Sequence, residues 1–164
     1  MIEFKVFTVP VAQPRQRHRI VKGKSGMFVA NYVPSTHPVN GYKIDLQTKL
    51  REVYHGEPLE GPLSLTLIAV MPRPQALCWK TRPTPRRRHD GRPDLDNILK
   101  ATQDALNSWA WLDDSQVCRC VMEKWIASGS EQPHVVIKVE QLGTGDGITQ
   151  SLFTKEFVHG SQEG

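Results

Sequence analysis

Four aspartates and a lysine in the second half of the chain have the types and spacing for chemistry: Asp94, Asp96, Lys100, and then the pair Asp113-Asp114. Hard divalent cations take oxygen ligands, and Mg²⁺ is usually held by a few carboxylates completed by water and phosphate oxygens. Such an ion makes water a stronger acid and neutralises charge that builds on a phosphate under attack. An ammonium such as that of Lys100 stabilises the same charge or protonates the leaving oxygen. These residues point to metal-assisted phosphodiester hydrolysis. A plainer reading stands beside it, in which Asp94 caps a helix, Asp96 and Lys100 form an i, i+4 pair, and Asp113-Asp114 makes a turn.

The elements that carry these residues decide whether they can meet. Between 94 and 110, Leu95, Ile98, Leu99, Thr102, Ala105, Leu106 and Trp109 recur at helical spacing and mark one apolar stripe. Asp96, Asn97, Lys100, Asp104 and Asn107 gather on the opposite side. The spacing predicts a helix with Asp94 and Asp96 at its start, where unpaired N–H groups favour negative charge. Trp111-Leu112-Asp113-Asp114-Ser115 breaks that helix, and the bend is expected to return Asp113 or Asp114 toward Asp96. Trp109 and Trp111 are expected in the core or at a dimer interface rather than stacked on bases.

Around this helix, alternation predicts strands at 2–9, 63–71, 117–126 and 134–140, and the spacing of Tyr42, Leu46, Leu50 and Val53 predicts a helix over 39–54. Two proline-rich basic segments, 10–38 and 73–93, read as a long loop or irregular hairpin and as a mobile loop. The order of elements predicts one α+β domain over 1–142, a mixed sheet of about four strands packed with two main helices, followed by a polar tail at 143–164.

Charge supplies the partner. The 164 residues carry 21 Lys and Arg against 17 Asp and Glu, a net +4. Residues 5–24 hold six basic residues and no acid, and residues 73–93 hold seven against Asp90 alone, so each segment is +6 and the remainder is −8. Such segregation suits a polyanion, with a cation site beside it. Arg15, Arg17 and Arg19 of the first segment and Arg86, Arg87, Arg88 and Arg92 of the second are the candidate DNA contacts.

Several classes are excluded. The longest mostly apolar run, 63–71, is about half what a membrane span requires. The first residues lack the pattern of a secretory signal, so a cytoplasmic setting and no membrane partner are expected. Cys78, Cys118 and Cys120 have neither the even count of a disulfide framework nor paired zinc-ligand spacing. Gly23-Lys24-Ser25 imitates the end of a phosphate-binding loop, but His18 stands where its first glycine belongs. Ile98 and Leu99 rule out an EF-hand at Asp94.

The run from Arg92 through Pro93-Asp94-Leu95-Asp96-Asn97 to Lys100-Ala101, then Asp104-Ala105-Leu106, then Trp111-Leu112-Asp113-Asp114-Ser115-Gln116-Val117, resembles the RusA family of Holliday-junction resolvases, common in phages and prophages. The resemblance covers roughly residues 62–140 and is looser at Pro14-Arg15-Gln16-Arg17. It implies that Asp94, Asp96 and Asp114 bind Mg²⁺, with Mn²⁺ as its substitute, and that Lys100 is catalytic. It also implies a homodimer that binds a four-way DNA junction and makes paired nicks in strands of like polarity. The chain departs from the shorter members by a longer segment before its first helix, an Arg-rich insertion before Asp94, a tail after Gly143, and Trp109-Ala110-Trp111 where the family has a glycine. Two other functions fit the same charges: a non-enzymatic DNA-binding accessory, and a nuclease for other branched DNA such as flaps or forks.

Overall fold

A computed structural model describes residues 1–15, 17–23, 26–79 and 84–143, with the backbone alone at 17–19, 23 and 28–32. The tail beyond 143 lies outside the described residues. The centre of the fold is β4 (Leu63–Met71), bounded as its alternation predicts. Val70 and Ser64 on its second face are buried along with Leu63, Leu65, Leu67 and Ala69 on its first, as expected of a strand flanked on both sides. Antiparallel β7 (His134–Gln141) pairs along one edge, and parallel β6 (Val117–Ile126) along the other. β1 (Ile2–Val6) adds to β7, and the two residues Arg87–Arg88 form β5 against the end of β6, giving the order β1-β7-β4-β6-β5.

The mixed sheet thus has five strands rather than about four, because Arg87–Arg88 is a paired strand inside the second basic segment. The first basic segment also gains structure: β2 (Arg17–Gly23) and β3 (Gly26–Tyr32) form a separate antiparallel hairpin. Two helices, α1 (Pro38–Val53) and α2 (Leu95–Leu106), cover one face of the main sheet. Val39, Tyr42, Leu46 and Leu50 of α1 and Ile98, Ala101, Thr102, Ala105 and Leu106 of α2 enter the core. Between the helices the Tyr42 hydroxyl and Thr102 Oγ1 share a hydrogen bond of 2.8 Å, and burial pushes the Tyr42 pKa up to about 12. No helix among the described residues is long and apolar enough to cross a membrane. The three cysteines are free and exposed.

The predicted apolar stripe overshoots the end of α2. Asn107 closes the helix, and Ser108 adopts a left-handed φ of 64°. That turn swings Trp109 out of the core, where it is 42% exposed and carries the Arg51 guanidinium 3.9 Å from its ring centre. Trp111, two residues on, is the tryptophan that is fully buried.

The described parts of the second basic segment are held down rather than loose. Arg73 donates to the carbonyls of Ala127, Leu77, Thr84 and Pro85, stitching the segment to the end of β6. Arg86 pairs with Glu131, and Arg88 pairs with Glu123 at 3.2 Å while lying over the Trp125 ring. The Arg86 side chain, then a backbone N–H from Ser128, hold the Glu131 carboxyl far below its ordinary value, at about 2. A carboxylate with a depressed pKa stabilises the fold above its ordinary value of 4.5 and loses that contribution as pH falls toward 2. The urea midpoint of the protein should therefore fall between pH 4.5 and pH 2, and by less in a Glu131→Gln variant; parallel falls in the two proteins would show that this pair does not anchor the segment.

Candidate active site

β4 and β6 run parallel, so the chain must cross from the end of one to the beginning of the other, and α2 makes that crossing. Its first turn stands where β6 ends. Lys124, near that end, donates from its ammonium to the carbonyls of Gly91 and Pro93, the residues that lead into α2. The backbone N–H of His89 in turn bonds to the Lys124 carbonyl at 3.0 Å. From the other side, the N–H of Gln13 donates to the Asn97 carbonyl at 2.8 Å and ties the segment after β1 to the same turn. The start of α2 is thus held from two directions.

Asp94 occupies the N-cap of α2 with extended backbone angles, yet its side chain makes no hydrogen bond to the helix amides. A capping carboxylate normally uses that bond to satisfy a helix amide; here its oxygens remain available beside the positive end of the helix dipole. Asp96 follows in the first turn, and Asp96 and Lys100 are both exposed. They do not form the i, i+4 ion pair of the plainer reading. The lysine–carboxylate pairs among the described residues are Lys43 with Asp104, Lys49 with Glu52 and Lys138 with Glu140.

Beside Asp94 lies an open cavity of about 600 Å³ lined by Ala12, Arg15, Arg92, Pro93, Asp94 and Asn97. Two arginines and an aspartate line one space. Guanidiniums bind phosphate oxygens in a forked geometry, and a carboxylate repels phosphate unless a cation lies between them. Arg15 and Arg92, from the two separate basic segments, are the candidate DNA contacts that the fold brings to Asp94. Arg87 is exposed on β5, Arg86 and Arg88 carry the ion pairs already described, and the side chains of Arg17 and Arg19 lie outside the described ones.

The acids of the second motif lie at the other end of the helix. Asp113 begins a short helical turn, Asp114–Gln116, as part of a capping box: its carboxylate accepts from the Ser115 N–H at 2.8 Å, and its own N–H donates to Gln116 Oε1 at 2.8 Å. Hydrogen bonds from the Ser115 side chain, then its backbone, hold the Asp113 carboxyl below the usual carboxylate range. Asp114 is oriented instead by the indole N–H of buried Trp111, which donates to its Oδ1 at 2.9 Å. The two acids left interchangeable by residue type are therefore distinguished: Asp113 closes a turn, and Asp114 is aimed from the core.

Within one chain the bend does not carry Asp114 back to Asp96. Trp111 is bridged to Asn107 at the end of α2, and Gln116 is bonded to the carbonyls of Leu59 and Gly61 beneath it. At 1.5 Å per residue, the helix rises roughly 15 Å between Asp96 and Leu106, and these bonds keep the bend at its far end. Among the described residues no three His, Cys, Asp or Glu side chains stand together as a metal-holding group. At the start of α2 the candidate ligands for a divalent ion are Asp94 and Asp96, which would leave waters and phosphate oxygens to complete its shell. A set of that kind would suit Mg²⁺, which commonly keeps several waters and takes one or two carboxylates.

The family model for endodeoxyribonuclease RusA matches residues 8–140. The chain belongs to the RusA family of endodeoxyribonucleases and is by that membership a DNA-cleaving hydrolase. It is also similar to an uncharacterised protein, YqaN, of Bacillus subtilis strain 168, at 28% identity over 148 residues, which cover 86% of this chain and 96% of that protein.

Lys124 stands within a strand and belongs to no motif, so its bonds to the backbone carbonyls of Gly91 and Pro93 have no signal in the sequence; Trp111 stands inside the Trp-Leu-Asp-Asp run, but spacing does not tell that its indole N–H donates to Asp114. Lys124 is placed to act through the segment that it holds. Replacing it by Met keeps the aliphatic stem and removes the clamp. Lys124→Met should lower DNA cleavage about 10- to 100-fold, in the range of other groups that orient a site from behind, and raise the Mg²⁺ concentration needed for half-maximal rate, with Lys124→Arg restoring part of both. An unchanged Mg²⁺ requirement would show that the clamp does not position Asp94.

Proposed function

We propose that this chain is a Mg²⁺-dependent, structure-selective endodeoxyribonuclease that resolves four-way DNA junctions as a homodimer, by paired nicks in strands of like polarity. The observation that carries this reading is the uncapped Asp94 at a helix start, facing a cavity shared with Arg15 and Arg92. Arg15 and Arg92 grip the phosphates on either side of the cut. Asp94 and Asp96 hold the divalent ion, Mg²⁺ or Mn²⁺ in its place, which when bound acidifies water and offsets charge on the scissile phosphate. Lys100, one turn past Asp96, stabilises the charge that develops on the phosphate oxygens or on the leaving oxygen. The protein works in the cytoplasm, where reduced Cys78, Cys118 and Cys120 are at home.

A junction requires two cuts, and a two-fold dimer presents two equivalent sites. Symmetry also offers Asp114 a place in the chemistry. Roughly one helix length from Asp96 of its own chain, Asp114 joins a carboxylate set only if a second copy supplies it. Trp111 already holds it in a fixed direction. Each site is then built from Asp94, Asp96 and Lys100 of one subunit and Asp114 of the other.

Asp96→Asn should abolish cleavage of a four-way junction while leaving junction binding intact or tighter, because a carboxylate that repels the backbone is lost. Retained cleavage would remove the mechanism. A co-expressed mixture of Asp96→Asn and Asp114→Asn chains tests the shared site: its heterodimers keep one intact set and should nick one strand, whereas sites made within single chains would leave none. Comparison of four-way junction, flap and linear duplex, with and without Mg²⁺, separates junction resolution from nicking of other branched DNA and from passive binding.

A further inference from the structure

The β2–β3 hairpin is unusual in what it leaves uncovered. It forms its own two-stranded sheet, separate from the five-stranded one. Its two strands pair along their whole length, from Arg17 opposite Tyr32 to Gly23 opposite Gly26, and Gly26 takes a φ of 127°. An isolated hairpin in water is ordinarily polar on its exposed faces, since nothing repays exposed apolar area. Here Ile20 is 71% exposed and Met27 is 77% exposed. Met27 lies opposite Lys22, and Ile20 is two residues before Lys22 on the same strand. All three therefore share one face of the ribbon near its tip, two large apolar side chains beside a cation.

The base of this arm is at the candidate active site. Ala12 and Arg15 line the cavity beside Asp94, and the Gln13 N–H is bonded to the Asn97 carbonyl four residues before β2 begins at Arg17. In sequence the arm is strongly basic: residues 15–24 include Arg15, Arg17, Arg19, Lys22 and Lys24 and no acid. That charge decides between possible occupants of the apolar tip. A second copy of the same arm would bring like charges together, whereas DNA supplies phosphates for the cations and base faces for the apolar groups. Ile and Met are among the side chains that proteins drive between base steps to unstack and bend a duplex.

We propose that the β2–β3 arm is a junction wedge: Arg15 at its base and Lys22 near its tip follow the backbone of the strand entering the site, and Ile20 and Met27 insert among the bases at the branch point, unstacking them beside the phosphate to be cut. This rests on the nuclease reading above and adds to it a device for recognising branched DNA. A branch point is where such insertion is least costly, because stacking is already interrupted there, whereas linear duplex must be unstacked first. The wedge thereby supplies selectivity for structure without base-specific contacts.

The test uses a four-way junction carrying 2-aminopurine at the branch, whose fluorescence rises when it is unstacked, bound by the full-length Asp96→Asn protein so that no strand is cut. Adding Ile20→Ser and Met27→Ser together should reduce the fluorescence rise at saturation about fivefold, as expected for loss of inserted apolar groups. In the chain with Asp96 restored, the same double substitution should reduce the preference for junction over linear duplex by a similar factor. Lys22→Ala, which keeps the apolar pair, should weaken binding and lessen its salt dependence yet give the full rise at saturation. The thermal midpoint should not move, since the arm lies outside the main sheet. A full fluorescence rise from the double variant overturns the wedge while leaving nuclease function intact, and a change in oligomeric state would assign the arm to a second copy and overturn it too. If the unsubstituted chain neither binds nor cuts the junction, the function itself is refuted and the wedge with it.

Discussion

Parallel strands cannot be joined by a tight turn, and that constraint places every residue of the candidate site. β4 and β6 lie side by side in the same direction, so the chain leaving β4 must travel back along the sheet before β6 can begin. α2 is the return path. Its start is pinned where the parallel pair ends, and its finish delivers the chain to where β6 starts. The two halves of the acidic motif, close in sequence, are thereby set at opposite ends of one helix. Had the strands been antiparallel neighbours, a short loop would have placed the two halves together.

The start of α2 is the more tightly built end. Lys124 holds the carbonyls of Gly91 and Pro93, Gln13 holds Asn97, and the second basic segment is tied to the end of β6 through Arg73, Arg86 and Arg88. The basic residues have therefore divided their work. Arg73, Arg86 and Arg88 satisfy carbonyls, carboxylates and an aromatic face within the protein. Arg15 and Arg92 open onto the cavity beside Asp94. A count of positive charges along the chain does not distinguish these uses, because an arginine paired with Glu131 and one facing solvent have the same charge in the sequence.

The other end is built for direction rather than for rigidity of the chain. Trp111, wholly buried, offers its single polar atom to Asp114, and Asp113 is consumed by its own turn. Just beyond α2, Trp109 is displaced to the surface by the left-handed turn at Ser108 and meets Arg51 of α1. Position 109 continues the helical period, so its apolar character reads as core from spacing alone. Only the backbone reversal after Asn107 shows that the period had already ended.

Local patterning in the sequence was enough to reveal the strands at Leu63–Met71 and Val117–Ile126, both helices, the α+β class and the family, because strand and helix periodicity and a contiguous motif are properties of neighbours along the chain. Tertiary structure alone decided the fifth strand at Arg87–Arg88, the projecting hairpin, the clamp by Lys124, and the separation of Asp96 from Asp114. Each of these depends on which strand lies beside which and in what direction. That is set by packing between segments tens of residues apart, and no local spacing encodes it.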